Sequence, residues 1–322
     1  MRLLHFSAIT CALLFAGSAA AQQNYPVKPI RLIVAFAPGG ATDFLARIVA
    51  QQLTQQLGLP VTVDNRPGAG GAIGTEMGAR AAPDGYTLTA GSSAAFSVTP
   101  HLVKKLPYDP LRDFAPVGMY SSFPYVVIVH PSVPARSIKE LVALARAHPG
   151  KLNFGTAGNG SGNHLAVEQF MSIAGVKLVH VPFKGGSLAL TALMSGEIDL
   201  AFDPMITTMQ QLKSGRIRTL AVSTQKRAPQ LPELPTLDEA GVKGYDANNW
   251  SGILVPTATP RAIVERLNNA INQGLSRPEV KERMIALGAE PLTGSPEDLG
   301  QLIKRELARN AKIIRDAGLQ AQ

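Results

Sequence analysis

Five short loops hold the residue types that could do chemistry in this chain. The first is Pro38, Gly39, Gly40, Ala41, Thr42 and Asp43, entered through Phe36. The others are Ser92 with Ser93; Thr156, Gly158, Asn159, Ser161 and His164; Phe183, Lys184, Gly185 and Gly186; and Asp203. Each follows a short apolar run, and most lead into residues at helical spacing. Glycine at such a junction lets the backbone turn sharply and approach a ligand, and the helix dipole then favours negative charge. The chemistry this pattern favours is non-covalent capture of a small anion by backbone N–H groups. Lys184 could neutralise a carboxylate. Asp203 could bind an amine or hydroxyl, or make an Asx-type turn with Pro204. Asp43 could face a ligand or cap its helix. His164 also falls in a first turn, where the dipole disfavours its charged form.

Competing chemistries lack their spacing. Ser92, Ser93 and Ser161 sit in no G-x-S-x-G elbow. An exported serine-type hydrolase acting on a small ester or amide is therefore the alternative reading. His101, His130, His148, His164 and His180 show no metal-ligand spacing, so no metal is expected. Lys184 is not in P-loop order, and Ile73 breaks the dinucleotide fingerprint begun by Gly68 and Gly70. No cofactor and no catalytic residue are expected.

The loops must be positioned by a repeated strand, loop and helix. Residues 31–36 (RLIVAF) are branched and apolar, as in a buried parallel strand. Beyond them Phe44, Leu45, Ile48, Val49, Leu53 and Leu57 recur at helical spacing. Further strands are read at 59–63, 86–90, 151–154, 178–181, 198–202 and 217–222. This predicts an α/β fold with two largely parallel sheets. In such sheets ligands lie beyond the carboxyl ends of the strands, where all five loops fall. Two runs that each end before a proline, 125–130 and 250–255, read as crossover strands. The predicted division is residues 22–125 plus 252–322 as a discontinuous domain 1, with 126–251 inserted as domain 2. Residues 261–321 read as two or three amphipathic helices.

Residues 1–21 read as a signal peptide. Arg2 starts it, residues 9–15 are apolar but too few to span a bilayer, and Ala19-Ala20-Ala21 suits cleavage. The mature chain is then expected to begin at Gln22, in the periplasm. The single cysteine, Cys11, lies within this segment. Its acylation is the alternative, disfavoured by bulky Thr10. The net charge of +8 is spread along the chain and aromatic residues make up 6%. With neither a basic stripe nor a stacking platform, no nucleic-acid partner is expected. A modest positive field suits small anionic ligands, as it suits solubility.

Several segments together resemble one known family. They are Lys28-Pro29-Ile30, Ala37-Pro38-Gly39-Gly40 with Asp43 and Ala46-Arg47, and residues 64–71 (DNRPGAGG). Residues 82–86 (APDGY), 180–186 (HVPFKGG), 196–199 (GEID) and Trp250 complete the set. In order, and over nearly the whole mature chain, they resemble the Bug-type extracytoplasmic receptors of tripartite tricarboxylate transporters. The resemblance implies a two-domain, type II-like periplasmic-binding-protein fold that closes on a small carboxylate. A di- or tricarboxylate, an acidic amino acid or an aromatic acid would fit. It further implies a monomer serving separate membrane permease subunits. The 38–43 and 183–186 loops would meet one ligand carboxylate, partly through ordered water. The family often has Tyr at the place of Phe183. Gly40 and Gly186 are expected to need glycine's backbone freedom, or to keep space open for the ligand oxygen.

Overall fold

The branched run near the start of the chain forms β1 (Ile30–Val34), in a computed structural model that describes residues 25–319. The signal-peptide reading, Cys11 included, lies outside the described residues. From β1 the chain continues through α1 (Ala41–Leu57), β2 (Val61–Asn65), α2 (Ala72–Ala79) and β3 (Thr87–Ser92). A π-helical turn (Ala94–Val98) and α3 (Thr99–Leu102) lead to the long β4 (Phe114–Val129). The second series is α4 (Ile138–Ala147), β5 (Asn153–Thr156), α5 (Gly162–Ala174), β6 (Val179–Pro182) and α6 (Gly186–Ser195). It ends with β7 (Leu200–Pro204), α7 (Met205–Gln211) and β8 (Arg218–Val222). The chain returns through β9 (Asn248–Pro256), then α8 (Arg261–Ser276), α9 (Pro278–Ala286), β10 (Glu290–Pro291) and α10 (Pro296–Asp316).

Two sheets share β4. In the first, β2, β1 and β3 are parallel, and β9 and then β4 follow antiparallel. In the second, β6, β5 and β7 are parallel, while β4 runs antiparallel to β7 and β8. Each sheet is thus parallel only on the side away from β4, less uniformly than the sequence suggests. The cause is connectivity. Parallel neighbours need a crossover helix, whereas β4 passes straight from one sheet into the other. The stretch 114–124 of β4 escapes sequence reading because Pro116, Gly118 and Pro124 argue against a strand. The sheet accommodates them with register shifts between Pro116 and Gly118 and between Met119 and Ser121. On the return, Asn248 and Asn249 already pair with Pro124 and Phe123. The chain therefore re-enters the first sheet a little before the 250–255 run.

Both faces of both sheets are covered, as buried parallel strands require. Leu45, Ile48 and Val49 of α1 and Leu267 and Ile271 of α8 pack on Leu32, Val34 and Leu88. Phe96, Trp250, Leu254, Leu299 and Ile303 fill the opposite face. In the second sheet Val127 and Val129 join Phe154, Phe170 and Phe202, while Val126 and Ile128 join Leu190 and Leu193. That alternation is the period of two expected of a strand buried on both sides.

Candidate functional site

Three helices begin around one cavity. Gly40 is the N-cap of α1, in extended backbone and with no side-chain cap. The first backbone bond there is Phe44 N–H donating to Gly40 O at 3.0 Å. At α5 it is Leu165 N–H donating to Ser161 O at 3.2 Å, and at α6 Ala189 N–H donating to Gly185 O at 3.3 Å. Each helix thereby leaves first-turn N–H groups without a helical partner. The cavity measures about 60 Å³. Residues 40–42 of α1, 161–163 of α5 and Gly186 of α6 line it. Phe36, Ser92, Phe123, Tyr125, Pro204 and Asn249 complete most of the wall. No lining side chain is charged. A helix start carries about half a positive charge, so three of them around uncharged walls suit a small anion.

The loops of the two sheets already touch. A Cβ at Gly185 would lie 2.9 Å from Ala37 Cβ, and one at Gly70 2.6 Å from Asn159 O. Thr99 Oγ1 lies 3.1 Å from Gly70 O and 3.4 Å from Gly160 O, bridging the same two loops.

Of the residues singled out by sequence, Phe36, Gly40, Ala41, Thr42, Ser92, Ser161 and Gly186 line the cavity. Pro38 and Gly39 are exposed, as is Lys184, which is not part of the wall. Ser93 stands just behind it, donating to Asn249 Oδ1 at 2.8 Å. Phe183 packs at the edge of the second sheet's core, and a Cβ at Gly155 would lie 3.3 Å from its ring. Asp43 braces the first loop from behind. Its Oδ2 accepts from Gly39 N–H at 3.0 Å, and Arg47 and Asn65 donate to the same carboxylate. Burial opposes its ionisation, but the bonds from Arg47, Gly39 and Asn65 outweigh burial and hold its pKa below the ordinary value.

Thr156, Gly158 and His164 hold the 155–163 loop in shape. Gly158 N–H donates to Thr156 Oγ1 at 3.2 Å, and Gly160 N–H to His164 Nδ1 at 3.3 Å. Thr156 Oγ1 also lies 2.6 Å from His180 Nε2, and the two imidazoles stack at 4.0 Å. Burial, with His164 adding to it, pushes His180 down to about 4, so its ring is neutral at physiological pH. Asn159 is exposed on the rim. Ser161 Oγ is engaged by Gly158 O at 2.6 Å and Asn163 Oδ1 at 2.8 Å. Ser92 Oγ accepts from Ala95 N–H at 3.4 Å. Among the described residues no histidine bonds to a candidate serine, and no group of three His, Cys, Asp or Glu could hold a metal.

Asp203 makes no Asx turn and does not line the cavity. It is 4% exposed, and its Oδ2 accepts from Thr207 at 2.7 Å and Thr208 at 2.8 Å. Burial raises its pKa to about 7, with the two hydroxyls opposing the shift. A folded-state value raised from 3.8 means the native chain binds the proton more tightly. The associated stability is fully present below about pH 4 and is lost as pH rises to about 7. Asp203→Asn keeps an oxygen for both threonines but no charge. It is expected to melt above the parent at pH 8, with that difference vanishing by pH 4. Parallel melting curves across this range would refute the assignment.

Sequence reading missed Tyr125, Asn163 and Asn249. For Tyr125 and Asn249 the available signal was a polar residue placed where an apolar crossover run begins, and for Asn163 a polar residue in the first turn of a helix that follows a glycine loop.

An α/β chain with two sheets joined by β4 and three helix starts around an uncharged cavity is a solute-binding receptor of the periplasmic-binding-protein class. The chain belongs to the tripartite tricarboxylate transporter family receptors, whose model matches residues 45–319. It is 36% identical over 306 residues to Protein BugT of Bordetella pertussis, covering 94% of each chain. The solved structure of R. palustris Rpa4515 with adipate superposes with a TM-score of 0.91 at 35% identity, over 92% of this chain and 100% of that one. MatC (Rpa3494) from Rhodopseudomonas palustris with bound malate gives 0.86 at 31%, over 90% and 100%. The Bug-type resemblance and the fold class read from sequence are thus borne out. The protein is a receptor and not an enzyme, which sets aside the hydrolase alternative.

Proposed function

We propose that this receptor captures a small carboxylate outside the cytoplasm and delivers it to separate membrane permease subunits. The observation that carries this reading is the meeting of three helix N-termini, contributed by both sheets, at one cavity without a charged side chain. Residues 22–125 plus 252–322 would form one lobe and residues 126–251 the other, closing about β4 and the return into β9. The ligand carboxylate docks on the 38–43 and 183–186 loops, partly through ordered water. Closure excludes bulk water and strengthens those hydrogen bonds. The adipate and malate held by the two similar receptors are in keeping with such a ligand. Export by residues 1–21 and a monomeric mature chain belong to the same proposal. Among the described residues no helix is long and apolar enough to cross a membrane.

A thermal-shift panel of di- and tricarboxylates, acidic amino acids and aromatic acids tests this reading. A ligand at a hundred times its Kd should add about 2.7 kcal/mol of stability. Stabilisation by none of the acids, with a response to neutral sugars instead, would refute the carboxylate reading.

A further inference from the structure

A polar chain runs from behind the first sheet's loops to the cavity wall. Ser93 Oγ donates to Asn249 Oδ1 at 2.8 Å, and Asn249 Nδ2 donates to Tyr125 Oη at 2.8 Å. With the Asn249 amide in this orientation, every bond points the same way. Tyr125 Oη accepts, and its own proton is left over as a donor. Among the described residues no acceptor takes it. The three residues are buried, at 5, 8 and 3% exposure, yet Tyr125 and Asn249 border the cavity. Burial pushes the phenol pKa well above its ordinary value, partly opposed by the Asn249 bond, so the proton stays in place at physiological pH.

We infer that Tyr125 is a specificity-determining residue: its hydroxyl donates to an acceptor oxygen on the part of the ligand that faces the crossover strands. This rests on the carboxylate-receptor reading and adds to it. Tyr125 faces Gly162, where even a Cβ would collide with the hydroxyl, so it stands beside the α5 start. The contact between the α1 and α6 loops, Ala37 to Gly185, involves neither Tyr125 nor Gly162. Next to Tyr125, Asn163 is 6% exposed, and its Oδ1 is occupied by Ser161 Oγ and Ala157 N–H. Asn163 is also part of the cavity wall. The crossover side of the cavity thus offers the Tyr125 hydroxyl as a donor and no charge, and an unused buried donor is costly. A ligand with an apolar end here leaves that donor unpaired, while a ligand with a carboxylate, carbonyl or hydroxyl oxygen satisfies it.

The role of Tyr125 as mere packing is separable from this one. Its ring lies 6.5 Å from that of Phe123 and belongs to the second sheet's core, and Tyr125→Phe keeps both features. Calorimetry with matched acids, adipate against hexanoate and terephthalate against benzoate, reads the hydroxyl alone. The parent should prefer the diacid of a binding pair at least tenfold. Tyr125→Phe should lose most of that ratio, with monoacid affinity changed less than twofold. Ser93→Ala, which removes the head of the chain behind the wall, should lower the same ratio two- to fivefold. It keeps the test alive should Tyr125→Phe fail to fold. An equal loss for both acids, or an unchanged ratio in both variants, overturns the inference and leaves the receptor reading standing. Binding of none of the four acids to the parent overturns the inference, and the broader acid panel then decides the receptor reading separately.

Discussion

Gly186→Val is expected to weaken acid binding at least thirtyfold while the protein melts within about 2 °C of its parent. Gly186 opens α6, outside the left-handed backbone region, and a Cβ there meets nothing within 4 Å. A β-branched residue is therefore free to fold at this position, and its methyl groups enter a cavity of only about 60 Å³. Gly40→Val should act in the same way, since its nearest atom is Ala37 O at 3.8 Å and its φ is −85°. Loss of a charge-assisted hydrogen bond costs about 2 kcal/mol, or thirtyfold in Kd. Of the two reasons the sequence offers for glycine at these two positions, open space remains and backbone freedom does not apply. Their neighbours need it, with φ of +80° at Gly39 and +147° at Gly185. Gly185→Val should accordingly lower melting as well, because it strains the turn and presses on Ala37. Calorimetry beside melting curves separates the cases. Unchanged affinity in both Gly40→Val and Gly186→Val would move the site elsewhere.

The opposite outcome is expected at Gly74, where Val should cost about 3 kcal/mol of stability or more. Gly74 lies in α2, and a Cβ on it would sit 2.7 Å from both Ala35 Cα and Arg66 O. Both neighbours are backbone, so no rotamer change relieves the clash, and α2 must move off β1. Overpacking of this kind costs about 1–3 kcal/mol where side chains can yield, and more where they cannot. At roughly 2–4 °C per kcal/mol, melting should fall by at least about 6 °C. Ala35 leads directly into the first cavity loop, so acid affinity should fall with it. A variant that melts normally would mean that α2 is not seated on β1 as described.

The amino-acid sequence determined the elements and the junctions that matter. Branched runs followed by glycine turns and helical spacing are local properties, settled within about ten residues. They place the starts of α1, α5 and α6 before any packing is known. The candidate site was legible for that reason, because the donors proposed for it are backbone N–H groups that exist wherever such a helix begins. Only the tertiary structure decided which side chains face the cavity. Asp43 and Lys184 are in the right loops, yet one is drawn back by Arg47 and Asn65 and the other stays in solvent. Tyr125 and Asn249 come from strands that sequence reading treated as connectors. They meet because β4 and β9 pair through shifted register, with Asn249 opposite Phe123. Register between strands more than a hundred residues apart is set by packing on both faces and by bulges. No local spacing encodes it.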